Sequence, residues 1–227
     1  MTAIHTARIS ILSKFLIKPR SSRRWSSSDA PQPVIILLGG GDSSVWRPPL
    51  LLPHKINPQV NAASSVDEAI EKIHHHYSLE SNFVGGMGES DPGVLLAASE
   101  GDILDISESA IKLMESVKAE RHGVPFLLAT TGIPSENGAV DWDTWSGKPM
   151  ESWLVSLYAA SPPTYKVETG GDASSAKAFG QVCEFLINAN EQGIAVEATV
   201  TPPQAAAGRE LALSLGARQV HVVETNH

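Results

Sequence analysis

The stretch Gly85-Gly86-Met87-Gly88-Glu89-Ser90-Asp91-Pro92 sets a carboxylate among glycines directly after a short apolar run. A carboxylate at a strand end can hold an ammonium group, and glycine backbone lets peptide groups approach a ligand closely. A solvated loop acid is spelled the same way, and the residues alone leave both readings open. A second run, Gly39-Gly40-Gly41-Asp42, follows another apolar stretch and could present backbone N–H groups to a phosphate. It matches neither G-x-G-x-x-G continuing into a helix nor a P-loop. Pro48 and Pro49 forbid an immediate helix, and Gly147-Lys148 is followed by Pro149 rather than Ser or Thr. A flexible strand-end turn is the plainer account of this loop.

Other chemistry-bearing residues point to structure. His74-His75-His76 are consecutive, so on a helix they diverge by about 100° each and do not face one metal. At a helix C-terminus, imidazolium charge suits the helix dipole. Cys183 falls on an apolar helical stripe, as a small buried residue would. Ser156 lies in Val-Ser-Leu without the G-x-S-x-G elbow of a hydrolase serine. Trp142, Trp145 and Trp153 could line a pocket, with core packing the simpler expectation.

These residues sit in an alternating rhythm. Short apolar runs at 34–38, 82–84, 124–129, 153–157, 194–200 and 220–223 read as buried strands. Helical patterns lie between them, at 66–77 with Ser64 or Ser65 as cap, at 103–119, at 176–190 with Phe179, Val182, Cys183, Leu186 and Ile187 inward, and at 205–215 before Gly216. Residues 135–149 read as a loop with one short helical turn. Six strands separated by helices predict a parallel sheet with right-handed crossovers. Periodicity does not choose between an open doubly wound sheet and an incomplete barrel. In both, functional loops follow the strand C-termini.

Composition excludes several classes. The net charge of −8 argues against non-specific nucleic-acid binding, and no apolar run reaches the length of a membrane span. One cysteine makes no intramolecular disulfide, and a cysteine-held cluster needs several. The first thirty residues are a different material. Arg8, Lys14, Lys18, Arg20, Arg23 and Arg24 precede the first acid, Asp29, among many serines. Ile9, Ile11, Leu12, Phe15 and Leu16 supply an apolar stripe between the cations. This is the pattern of a mitochondrial transit peptide, with a plastid one as the alternative and a disordered basic tail as the bland account. The organisation expected is a targeting segment over 1–30 and one α/β domain over 33–227.

Several segments in series resemble the radical S-adenosylmethionine (SAM) superfamily, and its TatD-associated branch in particular. Gly86-Met87-Gly88-Glu89 is similar to the family's Gly-Gly-Glu element, with Ser90 where proline is common. Leu128-Ala129-Thr130-Thr131-Gly132-Ile133 resembles a Thr-Asn-Gly-Leu strand end, with Thr131 in place of the asparagine. Val155-Ser156-Leu157-Tyr158-Ala159 resembles Ser-Leu-Asn-Ala, with Tyr158 as the departure. The stretches 178–185, 193–200 and 211–217 are similar to the following helix, strand and last helix.

The resemblance implies a partial (βα)6 barrel of the TIM type over about 34–223. It implies SAM as the small-molecule ligand, with Gly86, Gly88, Glu89, Thr130, Ser156 and Thr199 in its pocket. Glu89 would meet the methionyl ammonium, and Ser156 would lie near the ribose. It also implies a [4Fe–4S] cluster on three cysteines in the loop after the first strand. Here that loop, 39–49, contains no cysteine, and Ser or Asp is a poor substitute for thiolate toward iron–sulfur. The expectation is therefore a degenerate radical SAM-like pseudoenzyme that keeps a SAM or nucleotide pocket and acts as a binding or scaffold protein. Two alternatives stay open: an active radical SAM enzyme whose cysteine motif is missing from the gene model, and an unrelated α/β enzyme holding a phosphate ligand on 39–42.

Overall fold

The computed structural model describes residues 34–42, 44–53, 62–79, 93–135, 139–171 and 174–224. The targeting segment over 1–30, the strand expected at 82–84, and Gly86, Gly88 and Glu89 lie outside the described residues.

Among the described residues seven parallel strands form one sheet in the order β2-β1-β3-β4-β5-β6-β7. They are β1 (Val34–Leu38), β2 (Ala62–Ala63), β3 (Val94–Ala98), β4 (Phe126–Thr130), β5 (Ser152–Tyr158), β6 (Val196–Val200) and β7 (Gln219–Val222). The helices are α1 (Val66–Leu79), α2 (Ser107–Glu120), α3 (Trp142–Trp145), α4 (Pro162–Thr169), α5 (Ser175–Glu191) and α6 (Ala205–Ser214). The sheet does not close, and the architecture is a partial barrel.

Alternation along each strand divides the core in two. Ile36, Leu38, Leu96, Phe126, Leu128, Trp153, Val155, Val196 and Ala198 pack with the helices, joined by Ala69, Ile73, Leu113, Met114, Val182 and Leu186. Their neighbours Ile35, Leu95, Ala97, Leu127, Ala129 and Leu154 form a separate cluster on the opposite, inner face. Burial of both faces explains why the strands read as continuous apolar runs rather than as alternating ones.

Between β1 and β4 the sheet holds β3, which the sequence reading passes over. Its run Val94-Leu95-Leu96-Ala97-Ala98 is fully buried and enters from Gly93, whose carbonyl accepts from Val34 N at 3.1 Å. Gly86-Met87-Gly88-Glu89 thus precedes β3, and the loop after that strand is Ser99-Glu100-Gly101-Asp102. The helix expected over 103–119 is two pieces, a 3-10 turn Ile103–Ile106 and then α2. Asp102 causes the break: it caps the turn by accepting from Leu104 N, and the Asp105 side chain returns to the Asp102 backbone. α4 was not expected from the sequence, although Ser161 caps it, Pro162 opens it and the left-handed Gly170 ends it.

Ser65 Oγ accepts from Glu68 N at 3.2 Å, and the Glu68 carboxylate accepts from Ser64 N at 2.8 Å, so of the two expected candidates Ser65 is the cap of α1. Ile187 corrects the inward stripe of α5, since it is 39% exposed. The α5 stripe turns inward through Ala178, Phe179, Val182, Phe185, Leu186 and Ala189. Trp145 and Trp153 are core, and the half-buried Trp142 packs against it. Trp145 and Trp153 meet edge to face at 4.8 Å, and Trp142 and Trp153 both contact Phe185.

Candidate functional site

The C-terminal ends of β1, β3, β4, β5 and β6 bring five loops together, and their packing begins with two glycines. Gly41 has φ +135, and a Cβ there would stand 2.0 Å from the Glu100 carbonyl oxygen. Gly101 has φ +65, and its Cβ would stand 2.7 Å from Asp42 N. The loops after β1 and β3 are thus interlocked backbone to backbone, which only glycine permits at both points. Three amides of this stretch are bonded within the chain. Gly39 N donates to Ala63 O at 2.8 Å, Asp42 N to Asp105 Oδ2 at 3.3 Å, and Ser44 N to Asp42 Oδ1 at 2.8 Å. Gly41 and Gly101 serve this close packing of the two loops.

Arg47 fastens the same loops. Its Nε donates to Ile133 O at 2.9 Å, and its Nη1 to Asp42 O at 2.7 Å. The two terminal nitrogens each lie 3.1 Å from an Asp105 carboxylate oxygen, a fork on a fork. The two side chains are 4% and 7% exposed, so the pair is a buried one.

Asp102 is fully buried beside them. Its carboxylate accepts from Thr130 Oγ1, Thr131 N and Thr131 Oγ1, each at 2.7 Å, and from Leu104 N at 3.1 Å. Burial pushes its carboxyl above the usual range against the pull of these four donors. The sequence reading missed Arg47, Asp102 and Asp105. The Asp102-x-x-Asp105 spacing of a capping box was the available signal for the two acids.

Of the sequence-derived site residues, Ser156 and Thr199 are brought together. They are direct cross-strand partners on β5 and β6, and His221 of β7 pairs with Thr199 in the same row. All three fall on the inner face by alternation. Thr199 Oγ1 donates to Val155 O at 3.3 Å. Thr130 stands apart, on the helix side of β4 in step with Phe126 and Leu128, where its hydroxyl serves Asp102.

A second polar group lies one row toward the strand N-termini. The Glu197 carboxylate accepts from Ser152 Oγ at 3.2 Å and from Arg218 Nη2 at 2.8 Å, and lies 2.8 Å from His221 Nε2. Burial pushes the Glu197 carboxyl up, but the hydrogen bonds and charges of His221 and Arg218 outweigh it and hold it below its usual range.

The inner face is not bare. The chain after Arg47 crosses it without regular secondary structure. Leu51 N donates to Ser156 Oγ at 2.9 Å, and the Tyr158 hydroxyl donates to Pro49 O. Leu50 and Leu52 join the inner cluster of Ile35, Leu95, Ala97, Leu127, Ala129 and Leu154. Tyr158 carries φ 63, a left-handed value rare for a tyrosine, at a register shift in the β5–β6 pairing. Its carbonyl accepts from Thr201 N at 3.1 Å, which fixes the strand end that aims the ring. A cleft of about 400 Å³ lies elsewhere, between the loop after β4 and α5, with Pro134, Trp142, Gln181, Glu184 and Asn188 in its wall.

The donor set does not fit an iron–sulfur cluster. The chain's one cysteine, Cys183, sits on α5 among helix-side core residues, and burial pushes its thiol up to about 11. Among the described residues no group of three or more His, Cys, Asp or Glu side chains is placed to hold a metal ion. SAM, in turn, would meet a Ser156 hydroxyl already bonded to Leu51. Among the described residues no helix is long and apolar enough to cross a membrane.

The sequence matches no family model and no curated protein. Solved structures do resemble it. Streptococcus suis SuiB bound to SAM superposes with a TM-score of 0.53 at 10% identity, over 86% of this chain and 40% of SuiB. SuiB bound to its precursor peptide SuiA gives a TM-score of 0.52 at 9% identity, over 84% of this chain and 39% of SuiB. These neighbours are radical SAM enzymes, and the likeness shows the fold. The chain spans about two fifths of the SuiB length, 40% in the SAM-bound structure.

Proposed function

We propose that this chain is a radical SAM-fold protein without radical chemistry, acting as a binding or scaffold protein. The observation that carries the reading is the loop after β1. In the radical SAM family that loop holds the cluster. Here it has no cysteine and is fastened by Arg47 to Asp42, Asp105 and Ile133. Carboxylate and guanidinium groups in a buried pair offer nothing to soft iron–sulfur chemistry.

SAM is the small molecule this fold would take, at the strand ends of the inner face. Ser156 and Thr199 share a row there; the resemblance gives the ammonium group to Glu89, with Gly86 and Gly88, a stretch that here comes before β3 in the chain and lies outside the described residues. Thr130 enters this scheme as a positioning residue, through its bond to Asp102. Residues 1–30 would direct the chain to the mitochondrion, with the plastid as the other destination.

The experiment is anaerobic purification of the full chain, exposure to iron and sulfide, and assay of both elements. We expect substoichiometric iron and no cluster absorbance. A stoichiometric [4Fe–4S] complement would overturn the reading.

A further inference from the structure

The inner face presents a physical problem that the fold alone does not solve. Its apolar part, from Ile35 to Leu154, must be covered, and in this chain the cover comes from within, as Leu50 and Leu52. Leu51 occupies the Ser156 hydroxyl and is 4% exposed. We propose that residues 47–52 form an intramolecular plug that competes with ligand for the inner face. Ligand affinity is then set by the plug's anchors as well as by the pocket. This rests on the reading of the inner face as a ligand site.

The anchors divide by position. Arg47 is held at the strand ends by Asp42, Asp105 and Ile133, and none of these bonds involves the inner face. Beyond Arg47 the attachments are of another kind. Pro48 and Pro49 carry no backbone N–H, so neither donates to the sheet. The polar ties to β5 are one amide, on Ser156, and one carbonyl, under Tyr158. Leu50 and Leu52 supply apolar contact to the inner cluster, and Leu51, itself buried, packs with the helix-side core. A segment fixed at its root by a buried ion pair, and beyond it by two hydrogen bonds and the side chains of Pro48, Leu50, Leu51 and Leu52, can leave the face as a unit while the loop base stays in place. Leaving frees the Ser156 hydroxyl and the apolar surface together, which a ligand with a polar sugar and an apolar flank would cover.

The ligand class follows from what is vacated, a hydroxyl acceptor and donor at Ser156 and an aliphatic surface of Leu95, Ala97, Leu127 and Ala129, with Thr199, whose hydroxyl stays bonded to Val155 O, as the neighbour of Ser156. A nucleoside matches both halves, and SAM is the probe to use, with adenosine beside it.

The test measures amide exchange across 46–52 and calorimetric SAM affinity, on the full chain and on two variants. Tyr158→Phe removes the bond to Pro49 and keeps the ring. Leu52→Ala removes apolar contact and touches no polar anchor. We expect SAM to raise exchange in 46–52. We expect each variant to raise basal exchange there and to tighten SAM binding by about tenfold, the shift for about 1.4 kcal/mol of plug energy lost. SAM binding with no change in exchange over 46–52 would overturn the plug and leave the ligand reading intact. A variant with raised exchange and no SAM or adenosine binding would overturn the ligand reading, and with it the plug as a competitor. A variant that unfolds is replaced by the other, since they act on different contacts.

Discussion

The backbone amide of Leu51 donates to the hydroxyl of Ser156 at 2.9 Å across 105 residues of sequence, in a buried setting. The side chain that the family resemblance assigns to a ribose is thus engaged by the chain itself. Ser156→Ala would leave a buried amide without its acceptor. The expected cost is about 1–3 kcal/mol of stability in urea unfolding, the penalty for orphaning one buried donor. Ser156→Thr, which keeps the hydroxyl, is expected to cost less.

Arg47 and Asp105 pair with side chains 4% and 7% exposed. Arg47→Met strands a buried carboxylate, and the expected loss is about 3–5 kcal/mol. Asp105→Leu combined with Arg47→Met removes both charges and is expected to recover a large part of that loss. A double-mutant cycle by denaturant titration checks it, and additive single effects would disprove the coupling.

Glu197 gives the fold an acid-side pH dependence. Its carboxyl is held below the ordinary 4.5 by His221 and Arg218, although burial works the other way. A folded-state value below the unfolded one contributes stability that is fully present above about 4.5 and is lost as pH falls through the lower native value. Unfolding free energy measured against pH should therefore fall on that limb, and Glu197→Gln should flatten it. An unchanged acid limb in the variant would refute the assignment.

The basic, serine-rich residues 1–30 should carry a fused reporter into an organelle, with the mitochondrion the expected destination. A diffuse cytosolic signal would defeat the targeting reading.

What the sequence disclosed depended on the kind of contact involved. Buried parallel strands announce themselves as apolar runs, so β1, β4, β5, β6 and β7 were legible to within about two residues, as is usual for element ends. β3 was equally apolar, but the glycine-rich stretch ahead of it drew the assignment to 82–84 instead. Ser156 and Thr199 came from the family resemblance, and only the β5–β6 register makes them neighbours. Thr130 falls on the helix side, an even step along β4 from Leu128, where its hydroxyl meets Asp102. The links of Arg47 to Asp105 and of Leu51 to Ser156 span 58 and 105 residues, and no local periodicity reports such distances. Pro48 and Pro49 forbid an immediate helix, and the leucines after them gave no sign that they would be seated on the sheet.

The central claim, ligand binding without radical chemistry, is tested most directly by incubating iron- and sulfide-treated full-length protein with SAM and a strong reductant, then measuring intact SAM and its cleavage products. The account predicts SAM recovered intact, with any bound fraction independent of iron. Accumulation of 5′-deoxyadenosine in proportion to protein-bound iron would contradict it.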